Sequence, residues 1–344
     1  MTKIIDFKKE ITDEIKVVGE ALRNGKLVIF PTETVYGIGA NALDSKACDD
    51  IFIAKGRAQD NPLIVHVAEY EDILKYVEDI NPIEQRLIDA FMPGPFTLIL
   101  KKKDIIPNNV SANLNTVGIR MPDNKIAYDI IKEANVPIAA PSANLSGKPS
   151  GTRIEDITHE FDGKVEYIVD GGSAKVGLES TVVKVINNIP TILRPGKITP
   201  EDIINVVGIC KIDEHVFKKA EGAVESPGMK YKHYAPNNDC VLVYFEDTNK
   251  MVEEVNKRAT KDSVVIGYEE LQDKVKCKKY LVHGKINELN EISHNIFKLL
   301  REVDKHNPDL IIIMGVKKEG LGIAIMNRLI RSASYNYIGD WFMI

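Results

Sequence analysis

Residues 26–67 read KLVIFPTETVYGIGANALDSKACDDIFIAKGRAQDNPLIVHV, and the order of apolar and polar letters in them decides the fold. LVIF is a strand, the glycines of Gly37-Ile-Gly39 are expected to make a turn beside a pocket, Ser45 offers an N-cap for a helix carrying Ile51 and Ala54, and LIVHV is a buried strand. Upstream, Thr12 or Asp13 can cap a helix whose apolar stripe is Ile15, Val18 and Leu22, and Gly25 stands where that helix should stop. Downstream, Pro82 opens another helix, TLILK, TVGIRM, PIAA, EYIVD, TVVKV and TILR are strand candidates, and Thr199-Pro200-Glu201-Asp202 starts a helix that closes the domain. Strands here both alternate with helices and follow one another directly. The expectation is an α+β domain with a mixed, twisted sheet over residues 1–212, and not a doubly wound parallel sheet.

Between Asp213 and Asn238 the pattern breaks into a polar stretch bearing glycine and proline, of the length of a linker or active-site lid. Beyond it CVLVYF, SVVIGY, KKYLVH and DLIIIMGV are short apolar strands, separated by MVEEVNKRAT and by a helix with Leu289, Ile292, Ile296, Leu299 and Val303 on one face. Residues 239–344 therefore read as a smaller α/β domain with parallel strands.

Composition removes whole classes. A chain of 344 residues is long enough for two domains. With 44% hydrophobic and 28% charged residues it is neither disordered nor fibrous. No run of about 18 apolar residues spans a membrane, and the opening MTKIIDFKKEITDEIK lacks the apolar core of a secretory signal. Cys48, Cys210, Cys240 and Cys277 lie far apart and form no C-x-x-C pair, so neither a zinc site nor a disulfide framework is expected, and a reducing cytoplasm is the simplest location. A net charge of −5 argues against a general nucleic-acid binder.

The Gly37-Ile-Gly39 segment superficially fits a dinucleotide fingerprint, but the next helix starts near Ser45, too late for a third small residue in its first turn. Gly196-Lys197 lacks the upstream glycine and the following hydroxyl of a phosphate loop. Two other segments offer phosphate chemistry. Lys55-Gly56-Arg57 reads either as a solvated helix tail or as a pair of cations whose glycine lets a polyanion come close. Pro141-Ser142-Ala143-Asn144, directly after the strand PIAA, is either a plain turn or a set of hydroxyl and amide donors at a strand end.

Together Pro31-Thr-Glu-Thr34-Val-Tyr-Gly37, Lys55-x-Arg57 with Asn61-Pro62-Leu63 and His66, and Pro141-Ser142-Ala143-Asn144 resemble the threonylcarbamoyl-AMP synthases, whose hallmark is a K-x-R plus S-x-N pair. The resemblance continues through Gly177-Leu-Glu-Ser180-Thr-Val, Leu193-Arg194-Pro-Gly196, the linker Ser226-Pro-Gly-Met229-Lys-Tyr-Lys-His233-Tyr234-Ala-Pro236, and Gly322-Ile-Ala-Ile-Met-Asn-Arg328. It covers nearly the whole chain and is similar to the two-domain form of that family, a YrdC-like domain followed by a linker and a Rossmann-like domain.

The resemblance implies a nucleotidyltransferase that makes L-threonylcarbamoyl-AMP from L-threonine, bicarbonate or CO2, and ATP. Pyrophosphate leaves, and the product opens the route to threonylcarbamoyladenosine in tRNA. It further implies hand-off to a tRNA threonylcarbamoyl transferase complex and contact with tRNA. By the same resemblance Lys55, Arg57, Ser142 and Asn144 are the catalytic and ATP-binding pair of motifs, and Asn61, Thr116, Arg194 and Tyr234 also touch ATP. Thr34, His66, Arg120, Ala140 and Ser180 line the threonine pocket, with Arg120 suited to clamp the α-carboxylate. Lys55 and Arg57 are expected to face solvent within the pocket, and Ser226 to Pro236 to close over the ATP phosphates. Magnesium is expected on the phosphates, although no carboxylate cluster marks a protein cage. The competing readings are a non-catalytic tRNA or double-stranded RNA module, which would show salt-sensitive RNA affinity without ATP turnover, and a carbamoyl-transfer enzyme of hydrogenase maturation, which would want zinc-finger cysteines that are absent.

Overall fold

The computed structural model describes residues 1–8, 13–218, 225–227 and 234–340, so Thr12, one of the two expected caps, lies outside the described residues. The chain divides into two compact units, residues 1–146 with 150–231 and residues 147–149 with 232–344.

In chain order the first unit contains β1 (Lys3–Asp6), α1 (Glu14–Arg23), β2 (Val28–Phe30), β3 (Gly37–Asn41), α2 (Ser45–Lys55), β4 (Ile64–His66), α3 (Tyr70–Tyr76), α4 (Pro82–Phe91), β5 (Phe96–Lys101) and β6 (Thr116–Arg120). It continues with α5 (Lys125–Ala134), β7 (Ile138–Ala139), α6 (Ile154–Phe161), β8 (Tyr167–Asp170), β9 (Thr181–Ile186), β10 (Ile189–Arg194), α7 (Pro200–Val207) and β11 (Lys211–Ile212). The strands form one mixed sheet in the order β1-β8-β2-β3-β7-β4-β6-β5-β9-β10-β11.

Local chemistry sets the helix starts. Asn81 accepts from the amides of Ile83 and Glu84 while Glu84 reaches back, with Pro82 in the first turn. Thr199 and Asp202 repeat this reciprocal cap ahead of α7. The cap of α2 is Asp44, one residue before the expected Ser45, because its carboxylate accepts from both Lys46 and Ala47. A second correction concerns Gly37-Ile-Gly39, which is strand β3 and not a turn, paired antiparallel with β2 and β7. Its glycine answers a packing demand: a Cβ on Gly39 would stand 2.6 Å from the Phe30 ring and 2.8 Å from Ile138.

The sheet is covered on both faces. On the first, Leu27, Ile29, Val65, Leu98 and Ile119 pack with residues of α2, α4, α6 and α7. On the second, Val28, Phe30, Ile138 and Val169 lie with α1 and α5. Register carries this second face onward, since directly paired residues share a face. His66 lies opposite both Ile138 and Arg120, Gly118 opposite Ile64 and Ile99, Ile99 opposite Lys184, and Val182 opposite Thr97 and Arg194. One face of β4, β6, β5, β9 and β10 thus gathers His66, Arg120, Lys184 and Arg194 around the small apolar cluster Ile64, Ile99, Val182 and Leu193.

The second unit contains β12 (Cys240–Tyr244), α8 (Thr248–Arg258), β13 (Val264–Tyr268), β14 (Lys279–Gly284), α9 (Leu289–Glu302), β15 (Ile311–Met314), α10 (Leu321–Ser332) and β16 (Tyr337–Gly339). Its sheet has the order β14-β13-β15-β12-β16, and every pairing in it is parallel.

Candidate active site

Segments distant in sequence are stitched together by backbone. The amide of Ala143 donates to the carbonyl of Tyr36 at 2.7 Å and that of Ile38 to Pro141 at 2.9 Å, which lays the P-S-A-N segment along the P-T-E-T-V-Y-G segment. Val176 donates to Glu33 at 2.8 Å and Gly177 to Thr34 at 3.1 Å, attaching the loop that carries Ser180.

Lys55 ends α2 and is only 2% exposed. Its ammonium donates to the carbonyl of Asn144 at 2.7 Å and to that of Ser142. The expectation that Lys55 faces solvent is therefore wrong, and the reason lies in Gly56. That residue caps α2 in the left-handed region at φ +60°, with its N–H on the carbonyls of Ile53 and Phe52. The turn leaves Lys55 inside and Arg57 half-buried, its Nη2 donating to the carbonyls of Asn61 at 3.2 Å and Pro62 at 3.0 Å. Ser142 Oγ donates to Asn144 Oδ1 at 2.6 Å, so the two S-x-N side chains form one unit. Asn61 is buried, and its Oδ1 has no partner among the described residues.

Arg120 is buried and donates from Nη2 to Glu33 Oε1 at 2.6 Å and to Thr34 Oγ1 at 2.8 Å. Glu33 was not singled out in the sequence, although it stands inside the P-T-E-T motif, where a buried arginine required an anion. His66 stands directly opposite Arg120 on β4. Burial, then the Arg120 charge, lowers its pKa to about 3, so its imidazole is neutral near pH 7. Ala140 is buried on the same side as Phe30 and Ile138. Ser180 Oγ accepts from Arg194 Nη2 at 3.0 Å and lies 2.7 Å from Thr97 Oγ1, while Arg194 Nε donates to the Ser180 carbonyl at 3.1 Å.

Thr116 Oγ1 donates to Glu225 Oε1 at 2.9 Å, and Lys184 Nζ donates to both oxygens of the same carboxylate at 2.7 and 2.6 Å. Neither Lys184 nor Glu225 was anticipated; the only signal was a lysine within the apolar strand TVVKV. Tyr234 belongs to the second unit. It is buried, its ring stacks on Phe297 at 5.1 Å, and the Arg328 guanidinium lies 5.8 Å from its centroid. Residues 228–233 of the expected lid lie outside the described residues. Among the described residues no group of three His, Cys, Asp or Glu side chains could hold a metal ion, and no helix is long and apolar enough to cross a membrane.

A family model described as "Telomere recombination" matches residues 20–196, and one described as "Threonylcarbamoyl-AMP synthase, C-terminal domain" matches residues 198–334. The threonylcarbamoyl-AMP synthase of Pyrococcus abyssi is 39% identical over 341 residues, covering 98% of this chain and 99% of its own. That of Bacillus subtilis is 39% identical over 335 residues, covering 94% and 96%. The crystal structure of P. abyssi Sua5 complexed with L-threonine superposes with a TM-score of 0.93 at 39% identity, over 99% of this chain and 100% of that one.

Proposed function

The chain belongs to the threonylcarbamoyl-AMP synthase family, and on that premise we propose that the second face of its mixed sheet is where L-threonine and ATP meet. The reaction joins L-threonine, bicarbonate or CO2, and ATP into L-threonylcarbamoyl-AMP with release of pyrophosphate, the first step toward threonylcarbamoyladenosine in tRNA. The bond-making step is attack of the threonine carbamate oxygen on the α-phosphorus. An anion attacking a polyanion needs fixed positive charge and alignment more than a covalent nucleophile.

The observation that carries the assignment is the Lys55 ammonium on the carbonyls of Ser142 and Asn144, which joins the K-x-R and S-x-N motifs into one cradle. In this reading Lys55, Arg57, Ser142 and Asn144 hold the phosphates, and Asn61, Thr116, Arg194 and Tyr234 complete the nucleotide contacts. Arg120 takes the α-carboxylate of threonine, while Thr34, neutral His66, Ala140 and Ser180 shape the pocket around it. Magnesium is expected on the phosphates, and no step is assigned to it. Residues 213–238 act as the lid between a catalytic domain, 1–212, and a smaller domain, 239–344. The product passes to a tRNA threonylcarbamoyl transferase complex, and the enzyme works in the cytoplasm.

The test is pyrophosphate release with ATP, bicarbonate and single amino acids. Threonine should give the highest kcat/KM, with serine lower by about 5- to 150-fold for the missing methyl. Salt-sensitive RNA binding without turnover of any amino acid would transfer the chain to the RNA-module reading.

A further inference from the structure

The Arg120–Glu33 pair leaves a buried donor and a buried acceptor over. Arg120 Nε and Glu33 Oε2 are both buried, and neither has a partner among the described residues. Buried polar atoms are nearly always satisfied, so an orphan donor beside an orphan acceptor defines the ligand that fits them. The complement is a carboxylate and an ammonium on one carbon, which is the head of a zwitterionic amino acid.

We propose that Glu33 is a catalytic residue, holding the threonine ammonium and removing its proton as the carbamate forms. The proposal rests on the reading that Arg120 takes the α-carboxylate. With the carboxylate on the guanidinium, the ammonium, one carbon away, comes to the carboxyl group already bonded to that guanidinium. An ammonium has no lone pair, so nitrogen cannot bond to carbon until a proton leaves. Glu33 Oε2 accepts one proton, and the freed lone pair forms the N–C bond to bicarbonate. The C–O bond to hydroxide breaks, and the departing hydroxide takes a second ammonium proton. The products are the carbamate, one water and protonated Glu33, which returns its proton to solvent before the next turnover. The neighbouring donors fit this role: Nη2 of Arg120 occupies Oε1 and leaves Oε2 for substrate. His66, uncharged and directly opposite Arg120, does not compete for the ammonium's counter-charge.

The experiment compares full-length wild type with E33Q, E33D and R120K, measuring pyrophosphate release against threonine concentration from pH 6.5 to 9.5. E33Q should lose about 100-fold or more in kcat/KM for threonine near pH 7, the scale of a positioned base, with KM for ATP unchanged. Below the pKa of the α-amino group the deficit should shrink by roughly tenfold per pH unit as solvent supplies free amine, and above that pKa it should level off. E33D, which keeps the carboxylate, should show a smaller deficit with the same trend, and it carries the test if E33Q does not fold. A deficit equal at every pH would mean that Glu33 only neutralises Arg120, and the proposal would fall. If R120K leaves KM for threonine unchanged, the underlying assignment of the carboxylate fails first; if R120K raises it while E33Q and E33D show no pH trend, Glu33 alone was misread.

Discussion

Arg120 uses a single nitrogen, Nη2, for both Glu33 Oε1 and Thr34 Oγ1, which keeps the remaining donors of its planar guanidinium for a substrate carboxylate, a spread that the one nitrogen of an ammonium cannot reproduce. R120K should therefore raise KM for threonine by about 10- to 150-fold, the equivalent of one charge-assisted bond, while KM for ATP stays within a few-fold. An unchanged KM for threonine removes Arg120 from the pocket. Lys55 demands a different expectation from a surface cation. Its loss strands the carbonyls of Ser142 and Asn144 in a buried site, so K55A should lower stability by about 1–3 kcal/mol as well as activity. A K55A protein that melts at the wild-type temperature would contradict that burial. The difference between the two residues marks the limit of what the letters disclosed. The K-x-R and S-x-N motifs named two segments that Lys55 joins in the structure, but a motif records neither depth nor partner. Glu33 stayed invisible because its significance depends on Arg120, which lies on a strand far along the chain.

At the scale of elements, the end of α2 decides where both cations go. Gly56 sits at φ +60°, with nothing within 4 Å of where a Cβ would stand, so the constraint is conformational and not steric crowding. Alanine pays about 1–2 kcal/mol in the left-handed region, whereas asparagine visits it routinely. G56A should cost stability on that scale and raise KM for ATP by turning Arg57 away; G56N should stay close to wild type in both. Equal behaviour of the two would show that the cap does not aim Arg57. The capped and striped elements were legible in the sequence, among them α1, α4, α7, α9 and the long apolar strands, because their signals are local. β1 and β11 were not, since they are short edge strands, their pairing parallel to β8 and β10. Helix α10 escaped for another reason: its polar residues Asn327, Arg328, Arg331 and Ser332 share one side of the helix but are buried with the rest, so that side does not mark a solvent face. Gly37-Ile-Gly39 misled because a glycine demanded by the Phe30 ring looks the same in a string as a glycine demanded by a turn.

Among the described residues each unit buries one histidine at a depressed pKa. His66 in the first is lowered to about 3 by burial and the Arg120 charge, and His283 in the second to about 4 by burial. The unfolded chain takes up a proton at each below about pH 6.5 while the folded one does not. Their contribution is therefore fully present above pH 6.5 and is lost as pH falls toward 4, at about 1.4 kcal/mol per pH unit per histidine. Thermal scans from pH 7 to 4.5 should show the melting of both units moving down. H283Q, which keeps a donor for the Met314 carbonyl that the ring faces at 3.2 Å, should flatten the response of the second unit alone. A pH-independent melt in wild type would refute the account. The hydroxyl of Ser180 has a wider reach than its size indicates, for it joins Arg194, read as a nucleotide ligand, to the wall of the amino-acid pocket. Two ligands that settle the same group are thermodynamically coupled, and such coupling is reciprocal. Whatever factor ATP applies to the dissociation constant of threonine, threonine must apply to that of ATP. Equilibrium titrations of each substrate in the presence and absence of the other, without bicarbonate, should return one shared factor, and S180A should bring it to unity, leaving an enzyme that no longer senses through one substrate that the other has arrived.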